Sequence, residues 1–203
     1  MSKGFIDSTG ASDPLRLKLS FVKLRRLHPE LFGWRGWFFK MRFGLRQLNA
    51  NEAKTLLTEQ LLFGDTRAAM VVRLRPLLVA AYTDEQDAVL LLRFPESLGR
   101  KYRLEIDSRL LAVNTYVAGT KHASDIIQGP HSTKRFTNFH PVIAEFMADD
   151  VDKIDRRKQA ILPAEWKRVA MFSKALIADR NVSVRDGRPL NSYKTGQPFS
   201  SNH

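Results

Sequence analysis

Cysteine is absent from the 203-residue chain. Disulfide scaffolds, thiolate-held zinc or iron–sulfur centres and cysteine nucleophiles are thereby excluded, because each needs a sulfur ligand or thiolate. Also missing are a Gly-rich loop ending in Lys-Ser or Lys-Thr, a Gly-x-Gly-x-x-Gly turn, a Gly-x-Ser-x-Gly elbow and a His-Glu-x-x-His pair. Nucleotide-dependent enzymes, serine hydrolases of the elbow type and zinc proteases lose their usual signatures with them, and no cofactor is expected. The Gly-Trp-Arg-Gly-Trp sequence at 33–37 is no substitute, since its bulky neighbours would keep the backbone from cradling a phosphate.

Long hydrophobic runs are missing too. The most apolar stretch, 68–94, is broken by Arg73, Arg75, Pro76 and the acidic turn Asp84-Glu85-Gln86-Asp87, far short of the ~20 apolar residues that a membrane-spanning helix needs. The first residues show no basic segment leading into an apolar one, so a cytoplasmic protein without a transmembrane segment is expected.

What is abundant is positive charge: 33 Lys+Arg stand against 21 Asp+Glu, a formal net charge of +12. It is unevenly placed. Between Pro14 and Arg46 nine cations face Glu30 alone, a local excess of +8, while the rest of the chain is nearly balanced. With 43% hydrophobic residues, a chain of this size buries roughly 70% of its unfolded surface in one core.

Hydropathy periods divide the chain. Residues 15–19 and 39–46 alternate apolar with basic side chains, a two-residue period that fits half-buried strands. Helical spacing also runs through 15–27, so a helix or a strand-to-helix transition is expected there, and a strand at 38–46. Asn49 with Glu52 three residues on reads as a capping box for a helix to Phe63, with Gly64 as its stop. Segments 69–75, 77–83, 88–94, 102–107 and 110–117 are short, rich in Val, Leu and aromatics, and separated by turn formers. The pair flanking Asp84–Asp87 lacks polar alternation, which predicts a central hairpin buried on both faces. Pro141 would open a helix over 141–148, Asp149 or Asp150 would cap one over 150–161, and Pro163 would start a third over 164–179. Together these predict an α+β protein: a mainly antiparallel sheet over about 69–118, with 38–46 as a further candidate strand, covered by helices from the C-terminal third. One domain over 1–180, with a basic aromatic segment at 14–46 and a polar tail at 181–203, is the expected organisation.

The densest chemical signal is 31–46, where Phe32, Trp34, Trp37, Phe38, Phe39 and Phe43 interleave with Arg35, Lys40, Arg42 and Arg46. Aromatic faces stack on unpaired bases while Arg and Lys neutralise phosphates, so the composition suits single-stranded nucleic acid. It equally suits a membrane headgroup layer, and the same rings would serve as ordinary core with cations on a solvated face. The leading functional expectation is a non-catalytic module binding a polyanion, nucleic acid first, through Arg16, Lys18, Trp34, Arg35, Trp37, Lys40, Arg42 and Arg46. Arg73 with Arg75, and Lys101 with Arg103, would extend that surface if their strands lie side by side.

Two alternatives use other features. Aromatic and Arg enrichment also marks protein interfaces, so the segment would fit a homo-oligomer or an assembly subunit with a protein partner. The stretch 119–141 carries His122, Asp125, His131 and His140, which would give an enzyme in which His131 is the acid–base group and Asp125 or His122 its partner. The histidine spacing matches no metal-ligand pattern, however, and Asp84, Glu85 and Asp87 read as a solvated hairpin tip.

Overall fold

The computed structural model describes residues 13–32, 50–119, 122–133, 135–178 and 183–192. The expected strand at 38–46, the Asn49 cap, and Trp34, Arg35, Trp37, Lys40, Arg42 and Arg46 lie outside the described residues.

A curled sheet organises the chain. Its strands are β1 (Asp65–Leu74), β2 (Leu77–Thr83), β3 (Ala88–Phe94), β4 (Arg109–Val117), β5 (Ile127–Gln128) and β6 (Asn138–Ile143), in the order β5-β3-β2-β1-β4-β6, all neighbours antiparallel. A seventh strand, β7 (Val184–Asp186), lies parallel to β3 beyond β5. The α+β class with an antiparallel sheet is as the periodicity predicts. Strands β2 and β3 are buried throughout except at Arg93, and the pair needs cover on both faces because neither strand offers a polar side.

Helices supply that cover. Ser20 caps α1 (Phe21–Leu27) by accepting from the Lys23 amide, and Leu24 and Leu27 face inward. Helix α2 (Ala50–Phe63) ends at Gly64, where a Cβ would strike the Gln60 carbonyl and Val113. After α3 (Glu96–Lys101), α4 (Ala144–Met147), α5 (Val151–Ala160) and α6 (Pro163–Ala178) follow in the last third. Tyr82 stacks on Phe172 of α6, while Leu77, of opposite parity on the same strand, meets Gly99 of α3. Since faces alternate along a strand, α6 and α3 lie on opposite sides of the sheet. Phe94, paired with Leu77, meets Phe146 of α4 edge-on at 4.9 Å, so α4 joins α3.

Two expected elements change identity. Residues 102–107 are no strand: α3 starts after Pro95, and the chain then turns through Arg103 (φ 50°) and Asp107 (φ 67°), so only the Asp107–Ser108 backbone reaches Val71. The apolar alternation of Tyr102, Leu104 and Ile106 comes from a loop that dips its side chains unequally, leaving Ile106 60% exposed. Pro141 likewise opens no helix but sits inside β6, opposite Asn114. An outer strand tolerates proline because one row of its amides has no ladder partner to lose; α4 is a single turn after it.

Part of the polar stretch beyond 181 joins the fold. Arg185 enters the protein, where Nε and Nη2 donate to the two oxygens of Asp125 at 2.7 Å and Nη1 donates to the Phe139 carbonyl. Gly187 passes over the Phe94 ring so closely that a Cβ would lie 2.5 Å from it. A turn of helix, α7 (Pro189–Ser192), follows.

Candidate polyanion interface

Antiparallel connection sorts the charges to two ends of the sheet. The end of β1, the start of β2, the end of β3 and the start of β4 lie together, with α3 and residues 102–108 bridging the last two. Arg73, Arg75, Arg93, Arg100, Lys101, Arg103 and Arg109 are all exposed there, against Glu96, Glu105 and Asp107. Arg26 of α1 lies beside the Tyr102 phenol, which brings α1 and its residue Arg25 to this end. Among the described residues, Arg25, Arg73, Arg75, Arg100, Lys101 and Arg103 have no carboxylate within ion-pair distance.

A bulge sets the geometry. The β1–β2 register shifts between Val71 and Arg73, so Arg73 stands opposite Leu78, where an unbroken ladder would have put Val72. That slip turns Arg73 onto the face of Arg93, itself paired with Leu78 from the other side. The two guanidinium stems rise from Cα atoms two strand spacings, about 10 Å, apart.

Beside Arg93 lies an open groove of about 470 Å³. Pro76, Pro95, Val184 and the largely buried Phe94 give it an apolar lining, and Arg93, Glu96, Asp186 and Arg188 are the polar residues of its wall. Arg188 is held against Asp186, Nη2 to Oδ2 2.6 Å. Pinning β7 through Arg185 therefore builds one side of the groove.

The opposite end is acidic and internally neutralised. Arg67 reaches Asp65 at 2.8 Å and Asp84 at 2.6 Å; burial works against its charge, and the two carboxylates outweigh it, leaving its pKa raised. Tyr116 donates to Asp65 and bonds Thr83, both at 2.8 Å. Arg157 bonds Asp13, and Arg168 bonds Asp87. Burial raises the Asp84 and Glu165 carboxyls, and it pushes Tyr82 up to about 12. Asp87, assigned to a solvated tip by the sequence, is instead buried: it accepts from Tyr82, Arg168 and the His131 amide while holding φ 42°. Such a network consumes its own charges.

Arg16 and Lys18 are exposed but lie away from the cationic end. Leu17 pairs with the Leu61 carbonyl, the Lys18 amide donates to Asp150, and Lys153 donates to the Arg16 carbonyl, so both cations run beside the carboxylates that start α5. The 119–141 stretch does not assemble a relay. His122 bonds Gln128, His131 is exposed with its amide on Asp87, and His140 is buried in β6 beside Arg185 and Asp125. Asp125 is fully engaged by Arg185, and among the described residues no three His, Asp or Glu side chains are grouped to hold a metal. No helix among them is long and apolar enough to cross a membrane.

Sequence reading missed Arg93, Arg100, Glu96 and Arg188. Arg93 had one visible signal, a lone cation in Val-Leu-Leu-Leu-Arg-Phe-Pro; the others depend on α3 and β7, which local pattern does not reveal. No family model, curated protein or solved structure matches the chain.

Proposed function

We propose that the protein is a non-catalytic module that binds single-stranded nucleic acid on the cationic end of its sheet, from Arg25 and Arg26 across Arg100, Lys101 and Arg103 to Arg73, Arg75 and Arg93. The observation that carries this reading is the contrast in pairing: at the acidic end Arg67, Arg157 and Arg168 are bonded to carboxylates and Lys167 alone of the named cations is not, whereas most cations at this end have no carboxylate within ion-pair distance among the described residues. Unpaired, exposed cations attract phosphates at little desolvation cost, and their release of counterions drives binding. Exposed Phe21, which carries the Lys54 ammonium 4.7 Å above its ring, and Phe32 supply aromatic faces on the same N-terminal segment.

Titration of a labelled single-stranded oligonucleotide by fluorescence anisotropy tests the reading. Saturable binding at low salt that weakens steeply as salt is added supports it. Absence of binding at low salt removes it.

A further inference from the structure

Resting on that reading, we infer that Asp186 is an internal competitor of nucleic acid: its carboxylate fills a phosphate subsite that Arg188 builds at the end of the cationic row. The register carries that row one strand beyond β3. Arg73 stands opposite Leu78, Leu78 opposite Arg93, and Arg93 opposite Asp186 of β7. Residues opposite one another in a sheet share a face, so a carboxylate closes a row whose other charged members are arginines.

Arg188 grips that carboxylate as it would a phosphate. Its Nε donates to both oxygens at 3.1 Å, its Nη2 donates to Oδ2 at 2.6 Å, and its own amide donates to Oδ1 at 3.0 Å. A guanidinium fork with a backbone N–H is a donor set suited to phosphate oxygens. Glu30, the other carboxylate that acts on Arg188, is itself engaged by His28 Nδ1 at 2.8 Å. The Asp186–Arg188 pair is not what holds β7 in place. Alternation along the strand sends Arg185 inward to Asp125 and Gly187 over the Phe94 ring, while Asp186 and Arg188 face the groove, their side chains 35% and 37% exposed. An ion pair so open to water adds little stability, so a phosphate can replace the carboxylate with small loss to the fold. Until it does, Asp186 withholds Arg188 and repels the phosphate that approaches Arg93.

The test compares the parent with Asp186→Asn, which keeps the shape and removes the charge, with Asp186→Ser, which removes the carboxylate by truncation, and with Glu96→Gln, which removes the carboxylate of the groove wall that lies outside the row. Each is titrated with labelled oligothymidylate at several salt concentrations, and thermal midpoints verify that the proteins are folded. Both Asp186 variants are expected to bind about threefold tighter at low salt, with the slope of log affinity against log salt steeper by about one contact. Glu96→Gln is expected to keep the parental slope. An unchanged slope or weaker binding in the Asp186 variants, or an equal steepening in Glu96→Gln, would overturn the internal competitor while leaving the binding surface standing. No binding of oligothymidylate by the parent or any variant would overturn both.

Discussion

Arg73 and Arg93 belong to different strands, yet both stand directly opposite Leu78, one on each side of it. A single extra residue in β1 makes this so. Had the ladder run unbroken, Arg73 would face Leu77 and join the side of the sheet that packs on α3 and α4. The bulge therefore places two arginines from separate strands in one cationic row on the side of the sheet that carries α6, at the end where α3, on the other side, adds Arg100 and Lys101.

Arg103 gives a prediction in which stability and binding part company. Its φ of 50° is a conformation that costs a residue with a Cβ about 1 kcal/mol and glycine nothing. Arg103→Gly relieves that strain while loosening the unfolded chain by a similar amount. Urea denaturation should place the variant within about 1 kcal/mol of the parent, while oligonucleotide affinity falls and the salt slope drops by about one contact. Unchanged affinity would mean that Arg103 touches no phosphate.

The Asp125–Arg185 pair predicts a local failure. Asp125→Asn leaves a buried guanidinium without its counter-charge, which costs about 3–5 kcal/mol. Arg185 anchors β7 in the interior by side-chain hydrogen bonds to Asp125, Asn138 and Phe139, so hydrogen exchange should accelerate first at 184–187. Replacing both partners by leucine should cost less than either single change. Uniform acceleration across the sheet in Asp125→Asn would contradict a local latch.

His140 sets an acid limit. Burial, then the charge of Arg185, hold its imidazole down to about 4, against 6.5 in the unfolded chain. Between those values the unfolded chain binds a proton that the folded one refuses, so this contribution is complete above about pH 6.5 and is lost as pH falls. From pH 7 to pH 4.5 the loss amounts to about 2–3 kcal/mol. Denaturant unfolding at both pH values should show a shallower pH dependence for His140→Gln. Equal dependence in both proteins would assign the acid limit to another group.

Tyr116 separates the two ends of the sheet. Its hydroxyl links Thr83 to Asp65 inside the acidic network, so Tyr116→Phe strips a buried hydrogen bond and should cost about 1–3 kcal/mol. Oligonucleotide affinity at a temperature where the variant is folded should not move. A loss of affinity would extend the binding surface to the wrong end of the molecule.

Much of this architecture was legible in sequence because its signals are local. The apolar hairpin 77–94, the stop at Gly64 and the amphipathic helices of the last third follow from periodicity and punctuation. The departures share a cause: each depends on a partner distant in the chain. Alternation at 102–107 looks like a strand until α3 is seen packing Gly99 on Leu77, and Pro141 looks like a helix start until β4 is seen beside it. Of the proposed surface, the sequence showed Arg25 and Arg26 within a cation-rich segment but not the bulge that aligns Arg73 with Arg93, nor the strand β7 that walls the groove. Arg16 and Lys18 illustrate the converse, cations close in sequence to the segment that the chain path carries to the carboxylates of α5.

The salt dependence of oligonucleotide binding, measured for the parent, for Arg73→Ala/Arg93→Ala and for Lys167→Ala, tests the central claim most directly. Lys167 is an exposed cation on α6 beside Asp84 and Glu165, so it serves as a control of equal charge per substitution. The account predicts that the double variant binds more weakly and that its slope of log affinity against log salt falls by about two contacts, with Lys167→Ala indistinguishable from the parent. Equal slopes for the double variant and the parent, or an equal loss per charge at Lys167, would contradict it.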